Sequence, residues 1–130
     1  MIFHHFGLLS SEPDASRELL LGLDYEVSEA VEDPLQNVRL YWATHSTLPP
    51  VEIIAPGETP GAVSNLAKTL RQGVYHLCFE VTDLSKCLER FSAHGRVVPV
   101  SPRKPAVLFR NRPVSFYFVE NFGLIELLEP

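Results

Sequence analysis

Two histidines and two glutamates recur in matching positions of the two halves of the chain. His5 and Glu52 form the first pair, and His76 and Glu126 form the second pair at a nearly equal spacing. Neutral imidazoles and carboxylates together make a ligand set that suits a hard or borderline divalent cation. The repeat therefore predicts a metal site built from these four side chains.

The segments around the two glutamates also resemble each other. Val51-Glu-Ile-Ile-Ala-Pro56 matches Ile125-Glu-Leu-Leu-Glu-Pro130, so both carboxylates lie within apolar segments. A carboxylate is costly to bury unless a metal or a strong hydrogen-bond donor satisfies it. A single histidine such as His5 would more often be a half-buried structural residue, but its recurrence with the glutamates favours a ligand. His4 is expected on the opposite face of the strand from His5, because side chains alternate along a strand.

The elements that must position these residues follow one order in both halves. In the first half, residues 2–9 predict a strand, and Ser11, Pro13 and Asp14 announce a helix that ends near Gly22. Its predicted core face is formed by Ala15, Leu19 and Leu23. Residues 25–31, 37–44 and 51–55 then predict three strands, which makes the order βαβββ.

The second half repeats this order after a connecting helix over residues 59–73. Residues 74–81 predict a strand, and Asp83 caps a helix with Leu84, Cys87, Leu88 and Phe91 on one face. Strands follow over residues 96–100, 107–119 and 124–128, with a bend in the second at Arg112 and Pro113. Arg110 and Arg112 are expected in solvent.

A fold class follows from the repeated order. A unit of about 60 residues hardly buries a core alone, so two copies are expected to pair or share a sheet. We predict an α+β fold with one domain over residues 1–130: module one at about 1–56, a connector helix at about 59–73 and module two at about 74–130. The helices should pack on the outside of curved, mixed sheets.

Composition excludes several partners. The chain has 130 residues, of which 45% are hydrophobic, and a formal net charge of −5 without a basic cluster, which argues against nucleic acid. No apolar run is long enough to span a membrane, and no secretory leader is recognisable. We therefore expect a cytoplasmic protein with a small-molecule ligand. Cys78 and Cys87 are expected to be buried, unlinked thiols.

These features together resemble the vicinal oxygen chelate superfamily, which includes glyoxalase I, methylmalonyl-CoA epimerase, extradiol dioxygenases and bleomycin resistance proteins. The resemblance rests on four stretches, which are His4-His-Phe-Gly-Leu-Leu9, Val51-Glu-Ile-Ile-Ala-Pro56, Gly73-Val-Tyr-His-Leu-Cys-Phe-Glu-Val-Thr-Asp-Leu84 and Gly123-Leu-Ile-Glu-Leu-Leu-Glu129. They cover nearly the whole chain in the family's order, and their text is most similar to methylmalonyl-CoA epimerase-like proteins.

The resemblance implies a structure and a cofactor. Members of the family build a cup from paired βαβββ modules and place metal ligands on the first and last strands of each module. The implied ligands here are His5, Glu52, His76 and Glu126, for a divalent ion such as zinc, nickel, cobalt or manganese. Family members are commonly homodimers, so a homodimer is implied. Whether the modules pair within one chain or across a dimer is left open.

Two positions depart from the epimerases. They usually carry glutamine where this chain has Glu52, which matches bacterial glyoxalase I instead. They also place a catalytic glutamate where our alignment puts Arg39. Because arginine cannot act as a base near neutral pH, strict two-base epimerisation is not expected. Arg39 and Tyr41, on the strand face that the resemblance directs into the cup, and Cys78 are instead predicted to contact a substrate.

Two functions of different classes remain open. The first is a metal-dependent isomerase, epimerase or lyase that acts on a small carbonyl or acyl-thioester substrate through a metal-stabilised enolate, with Glu126 or Glu52 moving the proton. The second is a non-catalytic binding or resistance protein that sequesters a small molecule in the same cup. An iron-dependent dioxygenase is less favoured, since the second carboxylate would fill an open coordination position.

Overall fold

The computed structural model describes residues 1–130 and is built from nine strands and three helices. The strands are β1 (Ile2–Leu9), β2 (Glu26–Val27), β3 (Val31–Asp33), β4 (Val38–Thr44), β5 (Val51–Pro56), β6 (Gly73–Glu80), β7 (Val97–Ala106), β8 (Arg112–Val119) and β9 (Gly123–Leu128). The helices are α1 (Pro13–Gly22), α2 (Ala62–Leu70) and α3 (Leu84–Ser92). The predicted α+β class is confirmed.

The chain divides into two compact units. One unit is Phe6–Tyr75, and the other joins Met1–His5 to His76–Pro130. We call them the N-terminal unit and the C-terminal unit, respectively; the first five residues belong to the latter. The prediction of a single domain over the whole chain stays a prediction.

The N-terminal unit is a mixed sheet with α1 on one face. Its strands follow the order β2-β4-β5-β1, and β3 also pairs with β4. The β1–β5 pair is parallel, whereas β4–β5 is antiparallel. Leu20 of α1 packs with Tyr25, Tyr41, Ala43 and Ile53 in the core. The helix therefore covers the face of the sheet to which Tyr41 and Ile53 point.

Two local predictions for this unit are wrong. The single strand expected at residues 25–31 is two short strands, β2 and β3, which both pair with β4. The predicted core face of α1 is exposed, with Leu19 at 65% and Leu23 at 50%, whereas Leu20 is buried. Because three successive leucines occupy this helix, periodicity does not identify the buried face, and the contact of Leu20 with the sheet decides it.

The C-terminal unit has the predicted βαβββ order and places α3 on one sheet face. The strand order is β6-β9-β8-β7, with β6–β9 parallel and the other pairs antiparallel. As predicted, Leu84, Cys87, Leu88 and Phe91 of α3 face the core. The sheet residues in that core are Val81, Tyr117, Val119, Ile125 and Leu127. The opposite face of the sheet is free to carry the polar side chains described below.

The predicted strand over residues 107–119 is wrong at its start. Residues Val107–Phe109 form a single 3₁₀ turn, and Arg110 and Asn111 have positive φ angles of 57° and 60°. These two residues reverse the chain, so β8 begins at Arg112 and pairs antiparallel with β7. The turn, and not a bend at Pro113, interrupts the apolar segment, and it leaves Phe109 buried.

Asp83 caps α3 as the sequence predicts, and this contact is testable. Its Oδ1 accepts a hydrogen bond from the backbone N–H of Lys86 at 2.9 Å. We expect Asp83→Ala to lower the free energy of unfolding by about 1 kcal/mol, because the first turn loses a hydrogen-bond acceptor. Chemical denaturation measures the change. Ser85→Ala is the control in the same turn, and an equal loss in both variants would contradict the cap's role.

The remaining expectations concern thiols and membranes. Cys78 and Cys87 are both buried and free, as expected. None of the three helices has the length and apolar character needed to cross a membrane.

Candidate metal centre in the C-terminal unit

Three side chains of the C-terminal unit converge in its interior. The Nε2 atoms of His5 and His76 each lie 3.3 Å from Oε2 of Glu126, and they are 3.4 Å from each other. All three residues are buried, with exposures of 0%, 2% and 3%. Two imidazoles and one carboxylate therefore point at a common centre that is shielded from bulk water.

The pairing of β6 with β9 explains how His76 and Glu126 meet. These parallel neighbours place Cys78 opposite Glu126 and His76 opposite Leu124. Ile125 and Leu127 point into the core under α3, so the intervening Glu126 must point to the opposite face. His76 and Cys78 lie two residues apart in β6 and share that face. The alternation that buries the helix side thus orients the ligands on the other side.

The electrostatics of Glu126 follow from burial and from the two histidines. Burial by itself raises the pKa of a carboxyl group. The contacts of Glu126 with His5 and His76 outweigh that effect and hold the pKa of Glu126 well below its usual range. Glu126 is therefore an ionised carboxylate near neutral pH, which is the form that binds a cation.

The separations among the three ligand atoms fit a tetrahedral metal site. Around an ion with bonds of about 2.0–2.1 Å, tetrahedral geometry separates neighbouring ligand atoms by about 3.3–3.4 Å. The observed separations are 3.3, 3.3 and 3.4 Å. The donor set, two neutral nitrogens and one carboxylate oxygen, also suits a divalent ion of the zinc, nickel or cobalt type. These residues therefore fit a resident divalent metal.

Aromatic rings border the two histidines, and periodicity did not point to them. The Phe109 ring lies 5.2 Å from the His5 ring, and the Phe116 ring lies 5.3 Å from the His76 ring in an edge-on arrangement. Phe116 is opposite Glu126 in the β8–β9 pair. The rings of Phe109 and Phe116 therefore both border the candidate metal centre. An apolar surround lowers the local dielectric and strengthens the interaction of the site with a cation.

A second group of polar residues adjoins His5. The Nδ1 atoms of His4 and His5 are 2.7 Å apart, and His4 Nε2 lies 3.6 Å from Glu80 Oε1. Arg112 donates from Nη1 to Glu80 at 2.8 Å and from Nε to the carbonyl of Glu129. Its hydrogen bond holds the pKa of Glu80 low. The expectation that Arg112 is solvated is therefore wrong. His4 contacts His5 through its ring nitrogen, and the placement of the two side chains on opposite faces of β1 stays a prediction.

Cys78 lies next to this group. Its side chain is fully buried, and its sulfur lies within 4.8 Å of ligand atoms of His4 and His5. The prediction that Cys78 contacts a substrate stays a prediction. Its position does create a second constellation with possible metal ligands, which shares His5 with the first.

Glu52 belongs to the N-terminal unit. It is 6% exposed in β5, where its backbone is opposite Trp42 of β4. Because the adjacent Ile53 points into the core under α1, Glu52 points to the face of its sheet away from that helix. The structure thus brings His5, His76 and Glu126 together, and the role of Glu52 as a further ligand stays a prediction.

The strand face expected to look into the cup is the helix-covered face. Tyr41 packs into the core under α1 and is opposite Ile53, whereas Trp42 is opposite Glu52. Arg39, on the same face as Tyr41 by alternation, is bound to Glu32 of β3. The orientation predicted for Arg39 and Tyr41 is therefore wrong. A substrate contact of Arg39 stays a prediction, and it would occur in a cleft of about 280 Å³ that Arg39 lines with Glu32.

One family model matches the sequence. Its description is Glyoxalase/Bleomycin resistance protein/Dioxygenase superfamily, and the match spans residues 4–116. This range includes His5, Glu52 and His76 and ends before Glu126. No curated protein sequence gives a significant match.

Several solved structures share the fold. Methylmalonyl-CoA epimerase from Mycobacterium tuberculosis superposes with a TM-score of 0.79 at 20% identity, over 98% of this chain and 87% of that chain. A hypothetical protein from Bacillus halodurans C-125 gives 0.79 at 16% identity, over 98% and 93%. A Streptomyces coelicolor methylmalonyl-CoA epimerase variant, in complex with 2-nitronate-propionyl-CoA, gives 0.78 at 19% identity, over 99% and 96%. At these identities, the similarity concerns the fold.

Proposed function

Because the chain belongs to the glyoxalase/bleomycin resistance protein/dioxygenase superfamily, we propose that it is a divalent-metal-dependent isomerase, epimerase or lyase. Its substrate is a small carbonyl compound or acyl thioester. The observation that carries the proposal is the buried convergence of His5, His76 and Glu126 within 3.4 Å of one another. A buried carboxylate needs hydrogen-bond donors or a cation, and a bound cation would satisfy Glu126 and both imidazoles at once.

The ligands in this proposal are His5, His76, Glu126 and, as the fourth, Glu52. The bound ion supplies a Lewis acid that polarises a carbonyl group and stabilises negative charge on its oxygen. Zinc, nickel, cobalt and manganese are the candidate ions. Burial of Glu52 in β5 supports its inclusion, because carboxylate oxygens are common ligands of divalent ions at sites shielded from water.

The two carboxylates have different proposed roles. Oε2 of Glu126 lies 3.3 Å from Nε2 of each histidine, so this carboxylate is assigned first as a metal ligand. We assign proton transfer at the α-carbon to Glu52 first and to Glu126 second. Because no second acidic residue is assigned to the site, the proposed reaction uses one base.

The substrate class is drawn from chemistry and from the fold relatives. In acyl thioesters and in α-hydroxy carbonyl compounds, the carbonyl group makes the hydrogen on the adjacent carbon more acidic. Both classes therefore suit a site with a Lewis acid and an adjacent carboxylate. One structure of the same fold is a methylmalonyl-CoA epimerase in complex with methylmalonyl-CoA and NH4+. Methylmalonyl-CoA is therefore the first probe, and the hemithioacetal of a 2-oxoaldehyde is the second.

The test measures metal content and proton exchange separately. We expect one equivalent of divalent metal per chain by elemental analysis after loading with cobalt, nickel, zinc or manganese. We also expect the metal-loaded protein to exchange the α-proton of a probe for deuterium in ²H₂O, measured by NMR. Glu52→Gln should abolish the exchange. His45→Gln, at a histidine outside the cluster, is the control.

The outcomes separate the two functions. A protein that binds none of the four metals would contradict the metal-dependent function. A protein that binds metal and a probe, but exchanges no proton in either probe, would favour the second candidate, a non-catalytic binding or resistance protein. The presence of Arg39 where a catalytic acid is expected motivates that alternative.

We also propose that the protein forms a homodimer, as the family resemblance implies. Light scattering coupled to size-exclusion chromatography at micromolar concentration should give twice the mass of the 14.6 kDa chain. A mass of one chain would contradict the proposal.

A further inference from the structure

The pair formed by His4 and His5 leads to an inference about where the protons lie. We propose that His4, backed by Glu80 and Arg112, positions the imidazole of His5 and fixes its tautomer, so that Nε2 of His5 presents its lone pair to a cation. This inference rests on the proposed metal site. It adds a positioning residue that the duplicated pattern of histidine and glutamate does not contain.

The contact between the two rings restricts their tautomers. Their Nδ1 atoms are 2.7 Å apart, which is hydrogen-bond distance. In a pair of neutral imidazoles, one of the facing nitrogens must carry the hydrogen and the other must accept it. The opposite nitrogen of His5, Nε2, faces Glu126 at 3.3 Å. The choice made at Nδ1 therefore determines whether Nε2 is a donor or a ligand.

Glu80 determines the direction of this hydrogen bond. Nε2 of His4 lies 3.6 Å from Oε1 of Glu80, which is too long for a hydrogen bond but close enough for electrostatic preference. Arg112 binds the same oxygen at 2.8 Å, so Glu80 is held in its ionised form. A carboxylate favours an N–H, and disfavours a lone pair, on the nitrogen that faces it.

With a cation at Nε2 of His5, only one arrangement satisfies all of these contacts. With the hydrogen of His4 on Nε2, its Nδ1 is an acceptor, so Nδ1 of His5 donates and Nε2 of His5 is left with its lone pair. The reverse arrangement would aim a lone pair of His4 at Glu80 and an N–H of His5 at Glu126, which lies 3.3 Å from Nε2 of His5. That arrangement competes in the metal-free protein, and it leaves His5 without a lone pair for the cation. Metal-binding histidines commonly hold their second nitrogen as a donor in this way, and loss of the outer partner typically lowers metal affinity about 10–100-fold.

The polar chain belongs to His5. Each histidine ligand borders an aromatic ring, which is Phe109 for His5 and Phe116 for His76. His5 is also connected through His4 and Glu80 to Arg112. His5 is the one whose orientation responds to charge at Glu80.

Nitrogen-detected NMR of the zinc-loaded protein tests the proton positions directly. With ¹⁵N-labelled histidine, we expect His5 with its hydrogen on Nδ1 and His4 with its hydrogen on Nε2. A His4 with its hydrogen on Nδ1 in the zinc-loaded protein would overturn the inference. The zinc content of the same sample makes this result distinguishable from failure of the proposed function, which would show as absent metal binding or absent proton exchange.

Metal titration of three variants tests the consequence. His4→Phe removes the acceptor for His5 and keeps an aromatic ring beside Phe109, so the dissociation constant for Co²⁺ should rise about 10–100-fold. His4→Gln offers an amide oxygen as acceptor and should recover most of that loss. Glu80→Gln should weaken binding less than His4→Phe, because it removes the charge but keeps the size. His94→Phe is the control at an exposed histidine.

Two results would contradict the positioning role. Unchanged Co²⁺ affinity in folded His4→Phe protein would show that His4 does not act through His5, and equal losses in His4→Phe and His4→Gln would indicate a packing effect. Circular dichroism checks that each variant is folded, and the tautomer of His5 in Glu80→Gln is read independently if His4→Phe does not fold. A thiolate-to-cobalt absorption band would place the ion at His4, His5 and Cys78 and would also overturn the inference.

Discussion

His76→Ala is expected to abolish metal-dependent stabilisation of the protein. A ligand that binds only the folded state stabilises it by about 2.7 kcal/mol when its concentration is 100 times the dissociation constant. At a Co²⁺ concentration chosen in this way for the wild type, we expect thermal denaturation to show that stabilisation. In His76→Ala protein, one of three converging ligand atoms is missing and the increment should vanish.

A second variant with an unchanged side-chain size is needed, because removal of the buried imidazole of His76 also leaves a cavity. Glu126→Gln keeps the shape of the side chain but replaces the anionic oxygens with a neutral amide, and it should lose the same increment. His94→Ala, at an exposed histidine, should retain it. Full metal stabilisation in both His76→Ala and Glu126→Gln would place the ion elsewhere and contradict the site.

Leu127→Ala is expected to cause the largest loss of stability in the metal-free protein. Leu127 is 0% exposed and packs with Ile125, Tyr117 and Val119 in the core under α3. Replacement by alanine removes buried methyl groups and leaves a cavity, which costs about 2–5 kcal/mol. Urea denaturation at equilibrium measures the difference in the free energy of unfolding.

The matched control for this prediction is Leu19→Ala. Leu19 is also a leucine, but it is 65% exposed on α1, and exposed substitutions usually change stability by no more than about 0.5 kcal/mol. A similar loss in both variants would mean that the buried face of α1 includes Leu19. The pair therefore also checks the face of α1 that the repeating pattern assigned incorrectly.

Replacement of Leu127 should also affect the candidate metal centre, because Leu127 is the neighbour of Glu126 in the chain. Leu127 is adjacent to Glu126 in β9, and the two side chains point to opposite faces of the strand. Packing of Leu127 against α3 therefore holds the register and orientation in which Glu126 meets His5 and His76. A loosened core would misplace the carboxylate as well as destabilise the unit.

The sequence predicted much of the site because the relevant signals are local and repeated. Alternation along β6 and β9 assigns His76 and Glu126 to faces opposite Phe79 and Ile125, and the duplicated pattern singles out the same residues. The capping of α3 by Asp83 is equally local, since one side chain and one backbone N–H make it. Such features need only knowledge of neighbouring positions in the chain.

The contacts around His5 could not be predicted in this way. Glu80 and Arg112 are 32 residues apart in sequence, and each resembles an ordinary surface residue when considered alone. Their ion pair forms because β6 and β8 lie in one sheet and the turn at Arg110 and Asn111 starts β8 at Arg112. The presence of Phe109 beside His5 depends on the same turn.

The face of β4 shows the same limit. The sequence determined that Arg39 and Tyr41 share one side of a strand, because alternation is a property of the backbone. It did not determine which side α1 covers, since either face of an apolar strand can accept a helix. The tertiary structure decided this point by packing Leu20 against Tyr41 and Ile53.

The sequence by itself determined the βαβββ order of the second half, the identities of the candidate metal ligands and the alternation that separates core from polar faces. Only the tertiary structure decided the convergence of His5, His76 and Glu126 to within 3.4 Å and the connection of His5 to His4, Glu80 and Arg112. The physical reason is that alternation and capping act between neighbouring residues, whereas convergence depends on strand pairing and helix packing between distant segments.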